Sequence, residues 1–228
     1  MGEYVTINGP DGAFQAYVSA PAHANGRALV VIQEIFGVNK VMRDLADSYA
    51  AQGYFAVVPD LFWRIQPGID ITDQSPEEWQ QAFDYFGKFN VDTGIVDIQA
   101  TIDHIRKTHS TIGAVGYCLG GLLAYLTATR TSITAAVSYY GVGIQDRLAE
   151  ATEATKPLLL HVASEDSYVN KEAQAAMTAG LSSHPQIQMH VYDGLDHAFA
   201  RSGGQHYDAA GAALANERTL AFFAEKLS

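Results

Sequence analysis

The chain has 228 residues, 48% of them hydrophobic and 17% charged, with 25 acidic against 14 basic residues for a formal net charge of −11. That length suits one globular domain over 1–228, and the composition excludes a disordered chain. With no Lys/Arg cluster to offset the acidity, a nucleic-acid partner is not expected, and no apolar run reaches the roughly 18 residues needed to span a membrane.

The first two strand-like segments, 4–7 and 14–20, alternate polar and apolar residues around the turn cluster NGPDG, which predicts an antiparallel opening hairpin. Further strands are expected at 28–33, 54–59, 112–117, 133–140, 157–164 and 186–192, several apolar throughout as in strands buried on both faces. Helical patterns alternate with them at 40–52, 76–89, 92–109, 119–131, 171–181 and 209–227. The segment SPEEW at 75–79 has the grammar of a helix start: a capping Ser75, Pro76 in the first turn, and two acids behind it. This alternation is the signature of an α/β fold with a mostly parallel central sheet and helices on both faces.

Cys118 is the single cysteine, so no internal disulfide can form; with no basic-then-apolar leader at the N-terminus, a cytoplasmic setting is expected. It sits in Gly116-x-Cys118-x-Gly120, between a strand and a helix, which is the frame of a nucleophile elbow with sulfur in place of the hydroxyl. On so tight a turn, side chains two positions either side would collide, and glycines remove them. The opening N–H groups of the following helix can then stabilise a thiolate or an oxyanion. A lone cysteine is more often a small buried hydrophobe; the glycine frame is what favours the nucleophile.

An α/β-hydrolase places its acid and histidine after the nucleophile, at C-terminal strand ends. Asp166 and His197 meet both conditions, with Glu165 a competitor for the acid and Asp193 and Asp196 loop-shaping neighbours of the histidine. The remaining histidines, His23, His104, His109, His161, His184, His190 and His206, show no metal-ligand spacing of the H-E-x-x-H kind, so no metal is expected. His161 and His190 fall inside strands, where a hydrogen-bonded core role is simpler. Glu34, ending a strongly apolar strand, is either a solvated terminus or a carboxylate able to hold the thiol proton.

The segments QEIFGVN, GYCLGG, YYGVG, HAFAR and ALANERTLAFF resemble the dienelactone hydrolase (carboxymethylenebutenolidase) family, from about position 9 to 223. The resemblance implies an α/β-hydrolase fold and cofactor-free hydrolysis of a small carboxylate-bearing lactone in aromatic catabolism. It places the nucleophile on Cys118, the acid on Asp166, the histidine on His197 and the activating glutamate on Glu34. The oxyanion N–H groups fall on Ile35 and Leu119, and the substrate-carboxylate arginine on Arg201. The family's second substrate arginine falls on the helix at 76–89, which has none; Trp79 stands near that position, and Arg64, the nearest cation, matches a separate one. Phe36, Trp79, Tyr85 and Tyr139 are therefore expected to line an apolar pocket. That pocket suits a broader carboxylesterase or thioesterase as an alternative, and a non-catalytic ligand-binding relic of the fold is the reading of another class. The partner in the first two is a small molecule, acted on by a monomer or weak oligomer.

Overall fold

A computed structural model describes residues 2–228 as an α/β fold whose eight strands form a mostly parallel sheet in the order β1-β2-β4-β3-β5-β6-β7-β8. Its compact units are residues 1–114 and 115–228, position 1 lying outside the described residues; the boundary falls inside β5, Thr111–Tyr117.

In the first unit, β1 (Glu3–Gly9) and β2 (Gly12–Ser19) form the expected antiparallel hairpin, in register from Glu3 opposite Val18 to Gly9 opposite Gly12. β2 then pairs antiparallel with β4 (Phe55–Pro59), which pairs parallel with β3 (Arg27–Ile32). Helix α1 (Lys40–Ala51) returns the chain from β3 to β4, while α2 (Pro76–Lys88) and α3 (Val91–Ile105) lead on to β5. The SPEEW start behaves as its grammar dictates: Ser75 Oγ accepts the Glu78 N–H at 3.2 Å, and the Glu78 carboxylate accepts from Thr72 N–H and Oγ at 2.9 and 2.6 Å.

In the second unit, β6 (Ala135–Tyr139), β7 (Leu158–Ala163) and β8 (Ile187–Tyr192) pair parallel. Every residue of β6 and β7 is buried, Ser138 and His161 among otherwise apolar runs, whereas β8 is partly exposed at the sheet edge. Helices α4 (Leu119–Arg130), α5 (Lys171–Leu181) and α6 (Ala209–Lys226) lie at the expected positions. A 3₁₀ segment over Ile144–Glu153 was not legible in the sequence.

Helix starts set one position apart from the rest. Asn39, Ser75, Asn90, Asn170 and Asp208 cap α1, α2, α3, α5 and α6, each accepting a first-turn N–H through its side-chain oxygen. Helix α4 has no such cap, because its N-cap is Cys118. Among the described residues no helix is long and apolar enough to cross a membrane.

Candidate active site

The chain leaves β5 through Gly116 and Tyr117, turns at Cys118 and enters α4 at once. Cys118 has φ 57° and ψ −115°, a conformation that costs an L-residue on the order of 1–3 kcal/mol. The turn is held on both sides: the Cys118 N–H donates to Tyr139 O at 3.1 Å, and Cys118 O accepts from Gly121 and Leu122 N–H at 2.9 and 3.3 Å. A Cβ on Gly116 would collide with the Gly120 carbonyl, and one on Gly121 would lie 2.6 Å from Tyr139 O. These two glycines are steric conditions for the turn. Cys118 is 8% exposed. By its place at the first helical position, Leu119 carries an N–H that has no acceptor within the helix, beside a sulfur rather than a capping oxygen.

Asp166 follows β7 and His197 follows β8, and the two meet: His197 Nδ1 is 2.9 Å from Asp166 Oδ2 and 3.1 Å from Oδ1. Both side chains are buried. Oδ1 also accepts the N–H groups of Tyr168 and Val169 at 2.8 and 3.1 Å, so the carboxylate is fixed by its own loop. Glu165 points elsewhere, pairing with Lys171 at 2.7 Å with both side chains more than half exposed. Asp196 shapes the histidine loop, accepting from Ser167 N–H at 2.9 Å and His197 N–H at 2.6 Å and facing His206 Nδ1 at 3.1 Å. With Nδ1 donating to Asp166, Nε2 is left for chemistry; it is buried and makes no hydrogen bond of ordinary geometry. Burial alone would lower the imidazole's pKa, but a Cys118 thiolate foremost, and then Asp166, outweigh it and raise the ring to about 10.

Two aromatic residues enclose the imidazole. Tyr140 approaches edge-on at 5.1 Å and Tyr168 at 4.8 Å between ring centroids. Tyr168 is 46% exposed, and its phenol, raised by burial and then by the Cys118 charge, is lowered by Arg201. Arg201 itself is 6% exposed, its N–H donating to Ala198 O at 2.9 Å. Tyr140 (φ 38°) and Ala198 (φ 62°) join Cys118 as the non-glycine residues with positive φ among those described. All three positions adjoin the putting-together of thiol, histidine and aromatic cover, where stored strain is a functional signature. Tyr140 and Tyr168 were missed in the sequence; the positions directly after β6 and two beyond Asp166 were the available signals.

Tyr139, expected in the pocket, is instead a core residue. It is 0% exposed, its ring lies 4.7 Å from Tyr117 and 4.4 Å from His161, and its hydroxyl bonds Asn216 and Thr219. Tyr139 is the last residue of β6, whereas Tyr140 leaves the strand in a positive-φ conformation and is the one turned toward His197.

In the first unit, Glu34, Ile35 and Phe36 are all buried in the loop after β3. Phe36 packs edge-on against Trp79 at 5.1 Å, and Trp79 stacks on Phe83 at 5.5 Å while donating its indole N–H to Asp73 O at 3.0 Å. Tyr85 packs on Phe62 and donates to Gln66 Oε1 at 3.2 Å. Arg64 is a structural clamp. It bonds buried Asp97 at 2.8 and 3.1 Å and Asp11 at 2.9 Å, while Trp63 donates to the same Asp97 at 2.8 Å. Among the described residues no cluster of three His, Cys, Asp or Glu could hold a metal ion.

A strained strand-to-helix turn with an uncapped helix start, and an aspartate–histidine pair on neighbouring strand ends, are the marks of an α/β hydrolase. A model of the Dienelactone hydrolase family matches residues 14–227, and the chain belongs to that family. A relative from Azospirillum brasilense is 46% identical over 222 residues, 96% of each chain. Carboxymethylenebutenolidase of Pseudomonas putida is 39% identical over 226 residues, 97% of this chain and 96% of the relative. A crystal structure from Klebsiella pneumoniae shares the fold with a TM-score of 0.85 at 24% identity, covering 99% of this chain and 98% of the other. The chain is accordingly a hydrolase acting on esters or lactones.

Proposed function

We propose that the chain hydrolyses small lactones or activated esters through a thioester on Cys118, with His197 and Asp166 completing the triad. The observation that carries this reading is the buried Asp166–His197 pair at 2.9 Å, whose imidazole is raised chiefly by the charge of Cys118. The thiolate attacks the carbonyl carbon to form a C–S bond, and the developing oxyanion is held by the N–H of Leu119. Collapse breaks the ring or ester C–O bond, and the departing oxygen takes the proton from His197 Nε2. Acylation has a second effect. A thioester sulfur carries no charge, so His197 loses the largest influence favouring its protonated form and becomes competent as a base. It then takes a proton from water, whose oxygen attacks the thioester; the C–S bond breaks, leaving the carboxylic acid product and the thiolate.

Sequence correspondence with the family adds Glu34, which takes the proton of the neutral Cys118 thiol to form the thiolate and returns it to the sulfur once product has formed, and the Ile35 N–H as a second oxyanion donor. It also makes Arg201, a buried guanidinium, the partner of a substrate carboxylate. Helix α2 supplies no second clamp, because Glu77, Glu78 and Asp84 are acidic and its Lys88 is paired with Asp84 at 2.6 Å. By the same sequence correspondence Trp79 stands near the missing arginine's position, which favours a substrate with an uncharged or aromatic end, also what a broader carboxylesterase would take.

Cys118→Ala should abolish turnover of an activated ester, and mass spectrometry of Cys118→Ser or of acid-quenched wild type should find the acyl group at position 118. Near-full activity of Cys118→Ala would end the proposal. Comparing kcat/KM for a carboxylate-bearing lactone with that for its methyl ester decides the substrate class. A preference lost in Arg201→Met supports the carboxylate reading, and equal values favour the broad esterase.

A further inference from the structure

Beneath α6 the second unit contains a line of polar groups, buried except at its Asn216 end, that the hydrolytic scheme does not use. Tyr192 Oη lies 2.7 Å from His161 Nδ1, His161 Nε2 lies 2.9 Å from Thr219 Oγ1, and Thr219 Oγ1 lies 2.6 Å from Tyr139 Oη. Tyr139 Oη in turn donates to Asn216 Oδ1 at 2.9 Å. The donor directions follow from the two ends. An amide oxygen only accepts, so the Tyr139 O–H points to Asn216 and Tyr139 Oη must accept from Thr219. Thr219 Oγ1 must then accept from His161 Nε2–H, leaving Nδ1 to accept from the Tyr192 O–H. At the far end Arg218, which can only donate, stands 5.3 Å from the Tyr192 ring centroid. A neutral histidine donates once and accepts once, and burial, the main cause, lowers the His161 pKa to about 3. Every group in the line is satisfied in one sense only, so the line is rigid.

The line draws on β6, β7 and β8, and its backbone reaches the Cys118 turn through Tyr139 and Tyr140. Tyr139, anchored at α6 through its hydroxyl, accepts the Cys118 N–H at 3.1 Å through its carbonyl. The His161 carbonyl accepts the Tyr140 N–H at 2.8 Å, and Tyr140, at φ 38°, presses its ring on His197. Tyr192 reaches the same loop, with its ring 4.8 Å from Phe199, which lies 5.5 Å from Tyr140.

We propose that Thr219, His161 and the Tyr139 hydroxyl are positioning residues for hydrolysis, setting through Tyr139 and Tyr140 where Cys118 and His197 stand. This rests on Cys118 and His197 being nucleophile and base. The test replaces Thr219 with valine, which keeps the shape and removes the central hydroxyl, and with serine, which keeps the hydroxyl. Steady-state kinetics on p-nitrophenyl acetate are read beside the rate of Cys118 alkylation by iodoacetamide, at a temperature where circular dichroism shows each variant folded. Thr219→Val should lower kcat about tenfold or more, since small displacements of reacting groups are that costly, with KM within about twofold. Its alkylation rate should change with it, and Thr219→Ser should restore both. Wild-type kcat and alkylation in Thr219→Val would overturn the proposal, as would a loss shared equally by Thr219→Ser, which would assign the effect to packing. If the valine variant does not fold, Tyr139→Phe, lacking only the terminal hydroxyl, is judged by the same two readouts. Alkylation does not require Cys118 to be the nucleophile, so activity surviving in Cys118→Ala would sink the earlier reading separately.

Discussion

In the proposed mechanism a Cys118 thiolate is the largest influence holding His197 in its protonated form, and removing that charge chemically should be visible at the ring. Iodoacetamide converts the thiolate to a neutral thioether, releasing iodide and leaving Asp166 in place. A neighbouring unit charge at an effective dielectric of about 20 stabilises an imidazolium by on the order of 3 kcal/mol, or about two pH units of titration. Asp166 continues to favour the protonated form, and burial continues to oppose it. In the free enzyme the ring should titrate near the raised value of about 10, and in the alkylated enzyme roughly two pH units lower. NMR of carbon-labelled histidine reads the midpoint directly, with His197→Gln assigning the signal among the eight histidines. Identical midpoints in the two forms would show that the thiolate does not govern the imidazole. The step in which acylation turns His197 from acid to base would then lose its cause.

Asp166→Asn keeps an oxygen for the Tyr168 and Val169 N–H groups but no longer fixes the His197 tautomer, so kcat should fall by about 10³–10⁴ with little change in Tm. Gly116→Ala would drive a Cβ into the Gly120 carbonyl, which cannot rotate away; urea unfolding should register a loss of about 1–3 kcal/mol together with altered Cys118 alkylation. His161 has a folded pKa of about 3, well below the ordinary value of 6.5, so its contribution to stability is complete above pH 6.5 and falls as the pH drops toward 3. At pH 5 the loss should be about 2 kcal/mol, and the gap between wild type and His161→Gln in urea unfolding should narrow by about that much between pH 8 and pH 5. A gap that stays constant would show that protonation of His161 is not what the fold resists.

Local chemistry was sufficient for much of this protein. Periodicity placed the strands and helices because a strand buried on both faces must be mostly apolar, as β6 and β7 are apart from Ser138 and His161, and because helix starts need capping oxygens such as Ser75. The cysteine turn was legible for a similar reason, since only glycine at 116 leaves room for the carbonyl of Gly120. Order along the chain brought Asp166 and His197 forward, but it could not choose between Glu165 and Asp166. That choice depends on which side chain turns inward, and Lys171 takes the other. Nor could it place β2 beside β4, because the pairing joins segments distant in the chain. Tyr139 and Tyr140 show the limit most clearly. They are chemically identical neighbours in the sequence, and only the end of β6 at Tyr139, with the positive φ of Tyr140 beyond it, sends one hydroxyl under α6 to Asn216 and Thr219 and the other ring against His197. Residue type and spacing therefore determined what chemistry the chain carries, while the direction each side chain takes from the sheet decided which residues serve it.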